Sequence, residues 1–176
     1  MIQHNLQFAG QEEMKSFVSD CESRYEAQVR NAAREICKNR EERFVMLSGA
    51  SCSGKTTTSF ILEDEMKNFG KTAKIISIDD FYRSRDDISR DKIPNYEAAS
   101  AIDLNYFVVC ISDILSGKST RLPKYDFQLG MRSGYTDYQP SKNEFIVFEG
   151  IQAMYPEIMS LLPKKATRAI YIGVHD

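Results

Sequence analysis

The chain has 176 residues, enough for one compact domain, and 23 basic against 25 acidic side chains give a formal net charge of −2, so no basic field exists to hold nucleic acid or an anionic membrane. Its apolar runs, such as 145–148, fall far short of the ~20 residues that span a bilayer, and the N-terminus has no apolar signal core, so a cytoplasmic protein is expected. Four cysteines (Cys21, Cys37, Cys52, Cys110) form no CxxC pair, and the two histidines, His4 and His175, stand at opposite ends, which argues against a zinc site or a disulfide framework.

In chain order, Met14, Phe17, Val18, Cys21, Tyr25, Val29, Ala32, Ala33 and Ile36 recur at helical spacing. They predict one long amphipathic helix over 11–38, packed on the domain that follows. Residues 44–48 read as a buried strand, 54–69 as a helix stopped by Gly70, and 74–79 as a second strand. A second strong helix is predicted over 98–116, ending at Gly117, with further strands at 145–149 and 169–174. This alternation means an α/β fold, a parallel sheet with helices on both faces. The chain divides into an N-terminal helical extension, 1–42, and one domain, 43–176. Two stretches escape the pattern, 80–97 and 118–143. Both are too long to be simple connections, and both lie near the carboxyl ends of strands, where such sheets hold ligands. They are expected to hold a second substrate.

The strongest motif is Gly49-Ala50-Ser51-Cys52-Ser53-Gly54-Lys55-Thr56, followed by Thr57, which fits the GxxxxGK[ST] phosphate loop in its required strand-to-helix context. The glycines let successive N–H groups turn onto phosphate oxygens, the helix dipole adds to them, Lys55 reaches the terminal phosphates and the Thr56 hydroxyl ligates Mg²⁺. A nucleoside triphosphate follows from this, not a dinucleotide. Cys52, a thiol among inward N–H groups at a helix N-terminus, is expected to react with alkylating agents and to be protected by bound nucleotide.

Two acidic positions follow. Asp79 and Asp80 end the second predicted strand, where one could be the base for a hydroxyl nucleophile; the alternative is a solvated strand end with a helix cap. Adjacent strand residues point to opposite faces, so only one of them can face the loop. Glu149 ends the apolar strand 145–149 and, beside a phosphate loop, becomes a Mg²⁺ partner.

These blocks resemble the phosphoribulokinase and uridine kinase family. The match rests on the phosphate loop, on Ile78-Asp79-Asp80-Phe81-Tyr82, on Tyr96-Glu97 with Ala101-Ile102-Asp103, on Leu122-Pro123-Lys124-Tyr125-Asp126-Phe127, and on Phe148-Glu149-Gly150-Ile151, in the family's order. The helix at 11–38 resembles the segment that joins a TGS-like region to the kinase in long bacterial members. The resemblance implies a P-loop kinase in which Asp79 is the catalytic base and Lys55 acts on the phosphates. It also implies that Thr56, Asp79 and Glu149 surround Mg²⁺. Glu97 falls where the family keeps an acid on the ribose hydroxyls, Tyr125 and Phe127 where it lines the base pocket, and Arg132 on a basic position of that segment. Gly130 stands where uridine-cytidine kinases carry a histidine on the pyrimidine. Family members continue beyond 169–174 into a lid with arginines, so a sequence stopping at Asp176 reads as truncated or lid-less.

The resemblance supports a nucleoside kinase using ATP or another triphosphate. Two alternatives stand beside it: the same scaffold acting on another hydroxyl substrate, of the sugar-phosphate or pantothenate type, and a nucleotide-binding module with little catalysis. No nucleic-acid or membrane partner is expected, and homo-oligomerisation stays open.

Overall fold

The computed structural model describes residues 10–39 and 41–173; His4, Val174, His175 and Asp176 lie outside the described residues. The elements are α1 (Gln11–Lys38), β1 (Phe44–Gly49), α2 (Lys55–Asn68), β2 (Thr72–Ser77), α3 (Arg85–Ser89), α4 (Leu104–Leu115), β3 (Thr120–Asp126), β4 (Met131–Tyr138), β5 (Glu144–Glu149), α5 (Pro156–Met159) and β6 (Thr167–Ile172).

Four strands form a parallel sheet in the order β2-β5-β1-β6. β1 lies between two neighbours and is buried along its whole length, which is why it is apolar without alternation from Phe44 to Leu47. Phe44 pairs with Ile146 and Thr167, Leu47 with Glu149, and Gly49 with Ile172. Ser77 of β2 also pairs with Glu149. The register therefore brings the carboxyl ends of β1, β2 and β5 together at one edge.

Helices cover both faces. On one, Val29, Ala33 and Ile36 of α1 pack with Leu62 and Met66 of α2 against Val45, Leu47, Val147 and Ile172. On the other, Phe107, Cys110, Ile111 and Ile114 of α4 cover Phe44, Met46, Ile146 and Phe148. Phe148 stacks on Phe44 at 6.3 Å between ring centroids and meets Phe107 edge-on at 5.1 Å. The apolar stripe of α1 is used unevenly: Val29, Ala33 and Ile36 are buried, whereas Met14 and Val18 are exposed. Arg30 and Arg34 grip the nearly buried Glu65 carboxylate of α2 at 3.1 and 2.8 Å. Their hydrogen bonds, Arg34's foremost, hold that carboxyl below its ordinary range.

The structure corrects three elements of the sequence reading. The second strand ends at Ser77, and residues 78–81 turn as a 3₁₀ helix. The helix expected over 98–116 starts at Leu104, because Asp103 accepts the Tyr106 N–H at 3.0 Å and caps it. The stretch 118–143, to which the sequence pattern assigns no element, holds the antiparallel hairpin β3–β4, in which Thr120 and Leu122 are buried and Arg121 is exposed. No helix among the described residues is long and apolar enough to cross a membrane.

Phe148 joins β5 to both α4 and β1 and is fully buried. Phe148→Ala is expected to lower the unfolding free energy by about 3–5 kcal/mol, the sum of lost transfer and cavity terms. Urea titration checks this; a loss under about 1 kcal/mol would show that the aromatic stack is not the centre of this core.

Candidate active site

At the end of β1 the backbone runs so close to β6 that a Cβ on Gly49 would lie 2.7 Å from the Ile172 carbonyl oxygen and 2.6 Å from Ser53 Oγ. Glycine is therefore dictated by contact. Cys52 has φ 60°, the one positive φ at a described non-glycine residue, and Gly54 has φ 90°. These two left-handed residues turn the loop back into α2. Gly54 is the N-cap, and no side chain caps the helix, so its first turn presents backbone N–H groups and a positive dipole end to the loop. Ser51 and Thr57 are exposed beside it. The Lys55 ammonium folds along the loop, donating to the carbonyls of Gly49 and Ala50 at 3.0 and 2.8 Å.

Two carboxylates adjoin it. A Cβ on Gly150 would lie 3.6 Å from Asp79 Oδ1, which places Asp79 against the turn just after Glu149. Burial pushes the Asp79 carboxyl above its ordinary range; Lys55 opposes the shift and Asp80 adds to it. Glu149 is likewise raised by burial, with Lys55 pulling down and Asp79 pushing up, and hydroxyls of Ser59 and Thr56 hydrogen-bonding to its charged form. Lys55, Thr56, Asp79 and Glu149 thus form one electrostatic group. Among the described residues no set of three or more His, Cys, Asp or Glu side chains is placed to hold a metal alone. Two carboxylates and a hydroxyl are nevertheless the hard oxygen donors that Mg²⁺ takes when phosphates complete its shell.

Asp79 and Asp80 diverge, though not by strand alternation as the sequence suggested, since both lie on the 3₁₀ turn. Asp79 faces the loop group. Asp80 turns to the hairpin, accepting from Lys124 Nζ at 2.8 Å and from the Tyr125 N–H at 3.1 Å.

Beyond Asp79 lies an aromatic cluster. Ring centroids of Tyr82, Tyr125 and Phe127 are 5.6 Å (Tyr82–Tyr125), 6.1 Å (Tyr82–Phe127) and 5.0 Å (Tyr125–Phe127) apart, and Phe127 is largely exposed. The Tyr82 hydroxyl donates to the Tyr96 carbonyl at 2.8 Å and accepts from Gln152 Nε2 at 2.8 Å. That knot fixes the segment carrying Glu97, which is exposed and close enough to Tyr82 to raise its pKa, after burial as the larger cause. Tyr82 and the buried Gln152 were not singled out as site residues from sequence, because their meeting spans 70 positions. Arg132 stands apart from the loop group. It pairs with Asp103 at 3.1 Å and lies over the Tyr106 ring at 4.7 Å, bordering with Tyr82 a cavity of about 280 Å³. Gly130, at φ 68°, closes the hairpin turn, and its carbonyl accepts the Arg85 N–H at 2.7 Å. A Cβ there would lie 2.8 Å from Arg85 Nε, so a larger side chain needs Arg85 to move.

Residues 44–165 match the model of the phosphoribulokinase / uridine kinase family. The chain is 31% identical over 131 residues to uridine-cytidine kinase C of Dictyostelium discoideum, covering 74% of this chain and 27% of that protein. It is 31% identical over 119 residues to a uridine kinase of Limosilactobacillus reuteri, covering 66% and 53%. The chain thus spans about half or less of these relatives. Among solved structures, a possible uridine kinase from Bacillus stearothermophilus superposes with a TM-score of 0.63 at 18% identity, covering 82% of this chain and 80% of that one. D-glycerate 3-kinase from Cryptococcus neoformans gives 0.55 at 20%, covering 71% and 52%. These likenesses show the P-loop kinase fold.

The raised Asp79 pKa has a consequence for stability. A carboxyl whose folded pKa lies above its unfolded value favours folding below the unfolded pKa and loses that contribution as pH rises through the folded one. At neutral pH the charged Asp79 is therefore a burden. In metal-free protein Asp79→Asn is expected to raise the melting temperature at pH 7, with the gain vanishing as pH falls below the carboxylate range. Thermal melts in chelator check this, and a variant less stable at pH 7 would refute the assignment of the burial effect.

Proposed function

The chain belongs to the phosphoribulokinase / uridine kinase family, and from that membership and the site's geometry we propose that it transfers the terminal phosphoryl group of ATP, with Mg²⁺, to the 5′-hydroxyl of a ribonucleoside. The observation that carries this reading is the placement of Asp79 between two neighbourhoods, the Lys55 loop on one side and the Tyr82, Tyr125 and Phe127 rings on the other.

In this reading the residues from Gly49 to Thr57 bind the triphosphate, with Lys55 on the terminal phosphates. Thr56, Asp79 and Glu149 supply the oxygen donors for Mg²⁺, which neutralises charge on the phosphate oxygens. Asp79 takes the proton of the attacking hydroxyl, the usual task of a carboxylate set beside an alcohol acceptor. The aromatic rings stack on the acceptor's base, and Glu97 accepts from its ribose hydroxyls. Arg132 acts on this pocket from behind, through Asp103 and the cavity beside Tyr82. One observation favours a second acceptor class, of the sugar-phosphate or pantothenate type. Gly130 occupies the position of the family's pyrimidine-contacting histidine, and a side chain there, at φ 68°, would be strained and would press on Arg85.

The test uses the full chain, ATP, Mg²⁺ and a panel of ribonucleosides, sugar phosphates and pantothenate. Lys55→Ala is expected to lose most triphosphate affinity by calorimetry. Asp79→Asn should cut turnover ~10²- to 10⁴-fold, the usual range for a general base, with ATP affinity changed much less. Asp80→Asn should instead raise the acceptor KM, because Asp80 holds the hairpin. Equal effects of the two aspartate variants would remove the base assignment, and a protein that binds ATP but phosphorylates none of the panel would leave the binding-module reading.

Cysteine labelling gives an independent check, since Cys52 and Cys21 are both exposed. MgATP should protect Cys52 from alkylation and leave Cys21 unaffected; equal protection, or none, would contradict nucleotide binding at this loop.

A further inference from the structure

α1 lies outside the segment that matches the family model, yet it reaches the phosphate loop. The Tyr25 hydroxyl meets Thr58 Oγ1. Thr58 Oγ1 gives its hydrogen to the Gly54 carbonyl at 2.9 Å, and a hydroxyl has only one to give, so Tyr25 is the donor of the pair. The same Gly54 carbonyl accepts the Thr58 backbone N–H at 2.9 Å. A hydrogen-bond chain thus runs from α1 through Thr58 to Gly54.

Its end point is what matters. The Gly54 carbonyl and the Lys55 N–H belong to one planar trans peptide, so their directions are opposed and locked together. Gly54, at φ 90°, is the residue on which the loop turns into α2 and has wide backbone freedom of its own. Holding its carbonyl back into the helix aims the Lys55 N–H forward, toward the space that the loop encloses. A Cβ on Gly54 would lie 3.7 Å from the Tyr25 hydroxyl, so α1 sits directly against this turn.

The rest of α1 holds Tyr25 there. Val29, Ala33 and Ile36 are buried against Leu62 and Met66, and Arg30 and Arg34 clamp Glu65. On the other side of Tyr25, Met14 and Val18 are exposed. Tyr25 is partly buried against this cluster and touches the loop end of α2.

We propose that Tyr25 is a positioning residue for the donor triphosphate: its hydroxyl, acting through Thr58, sets the plane of the Gly54–Lys55 peptide and makes α1 part of the nucleotide site. This rests on the phosphate-loop reading above. It also distinguishes two things that α1 does, docking on α2 through apolar and ionic contacts, and tuning the loop through one hydroxyl.

The experiment is a calorimetric titration of the full chain with Mg²⁺ and a non-hydrolysable ATP analogue, with thermal melts in parallel. Tyr25→Phe keeps the ring and removes the donor; the Kd should weaken about five- to tenfold, the worth of one neutral hydrogen bond. Ile36→Ala, at a docking residue about three turns further along α1, should lower the melting temperature at least as much yet keep the Kd within about twofold. Thr58→Val should reproduce the loss, and Thr58→Ser, which keeps the hydroxyl, should restore parental affinity. Parental affinity in Tyr25→Phe overturns the proposal, and so does an equal loss in Ile36→Ala, which would reduce α1 to a stabilising brace. If the parent and Lys55→Ala bind the analogue equally weakly, the phosphate-loop reading itself falls and this proposal with it.

Discussion

The parallel pairing of β5 with β1 and β2 is the constraint on which the rest depends. Glu149 stands opposite both Leu47 and Ser77, so three chain segments leave the sheet at the same level. One continues into the phosphate loop, one into the turn bearing Asp79, and one ends in Glu149 itself. Backbone hydrogen bonds and the packing of each strand's side chains against the helices set the stagger of these strands. A slip of one residue would send Glu149 to the opposite face and part it from Lys55. Phe44, Val45, Met46 and Leu47 of β1, fully buried between two helical layers, would each lose their packing, which makes such a slip costly.

Around this edge the molecule accepts unfavourable terms. Cys52 holds a left-handed conformation, worth about 1–2 kcal/mol of strain for a residue with a Cβ. Ser53 Oγ is buried without a hydrogen-bond partner. Burial raises the pKa of both Asp79 and Glu149, and the charge of Asp79 raises that of Glu149 further. The core does the opposite work elsewhere, through the Phe44, Phe107 and Phe148 stack and the clamp on Glu65. Strain concentrated where ligands bind and stability gathered away from them is the expected division when a site must be held ready for charge.

Much of this was legible in the sequence, where the signals were local. The apolar run before GxxxxGKT fixed β1 and α2, and strand ends located Asp79 and Glu149. What escaped was either masked or distant. Asp103 is an ordinary helix cap, hidden by the helix-like run of alanines before it. The alternation of Thr120 and Leu122 with Arg121 was a strand signal, obscured by Pro123 and by a stretch rich in Gly, Ser and Tyr. The Tyr82–Gln152 knot and the Tyr25–Thr58 contact could not be read at all, because nothing within either segment announces its partner. The pairing of Asp80 with Tyr125 is of the same kind, and it replaces a strand-alternation argument that gave the divergence of the two aspartates for the wrong reason.

That pairing bears on how such a protein can diverge. Asp80 secures the hairpin partly through the Tyr125 backbone N–H, a group present whatever side chain stands at that position, proline excepted. In the reading proposed above, the rings at 125 and 127 face the acceptor, so they can be exchanged over generations while the hairpin stays anchored one residue from Asp79. A change of acceptor then needs new side chains in 125–132 and leaves the surroundings of Asp79 untouched, so long as position 80 keeps a single acceptor oxygen.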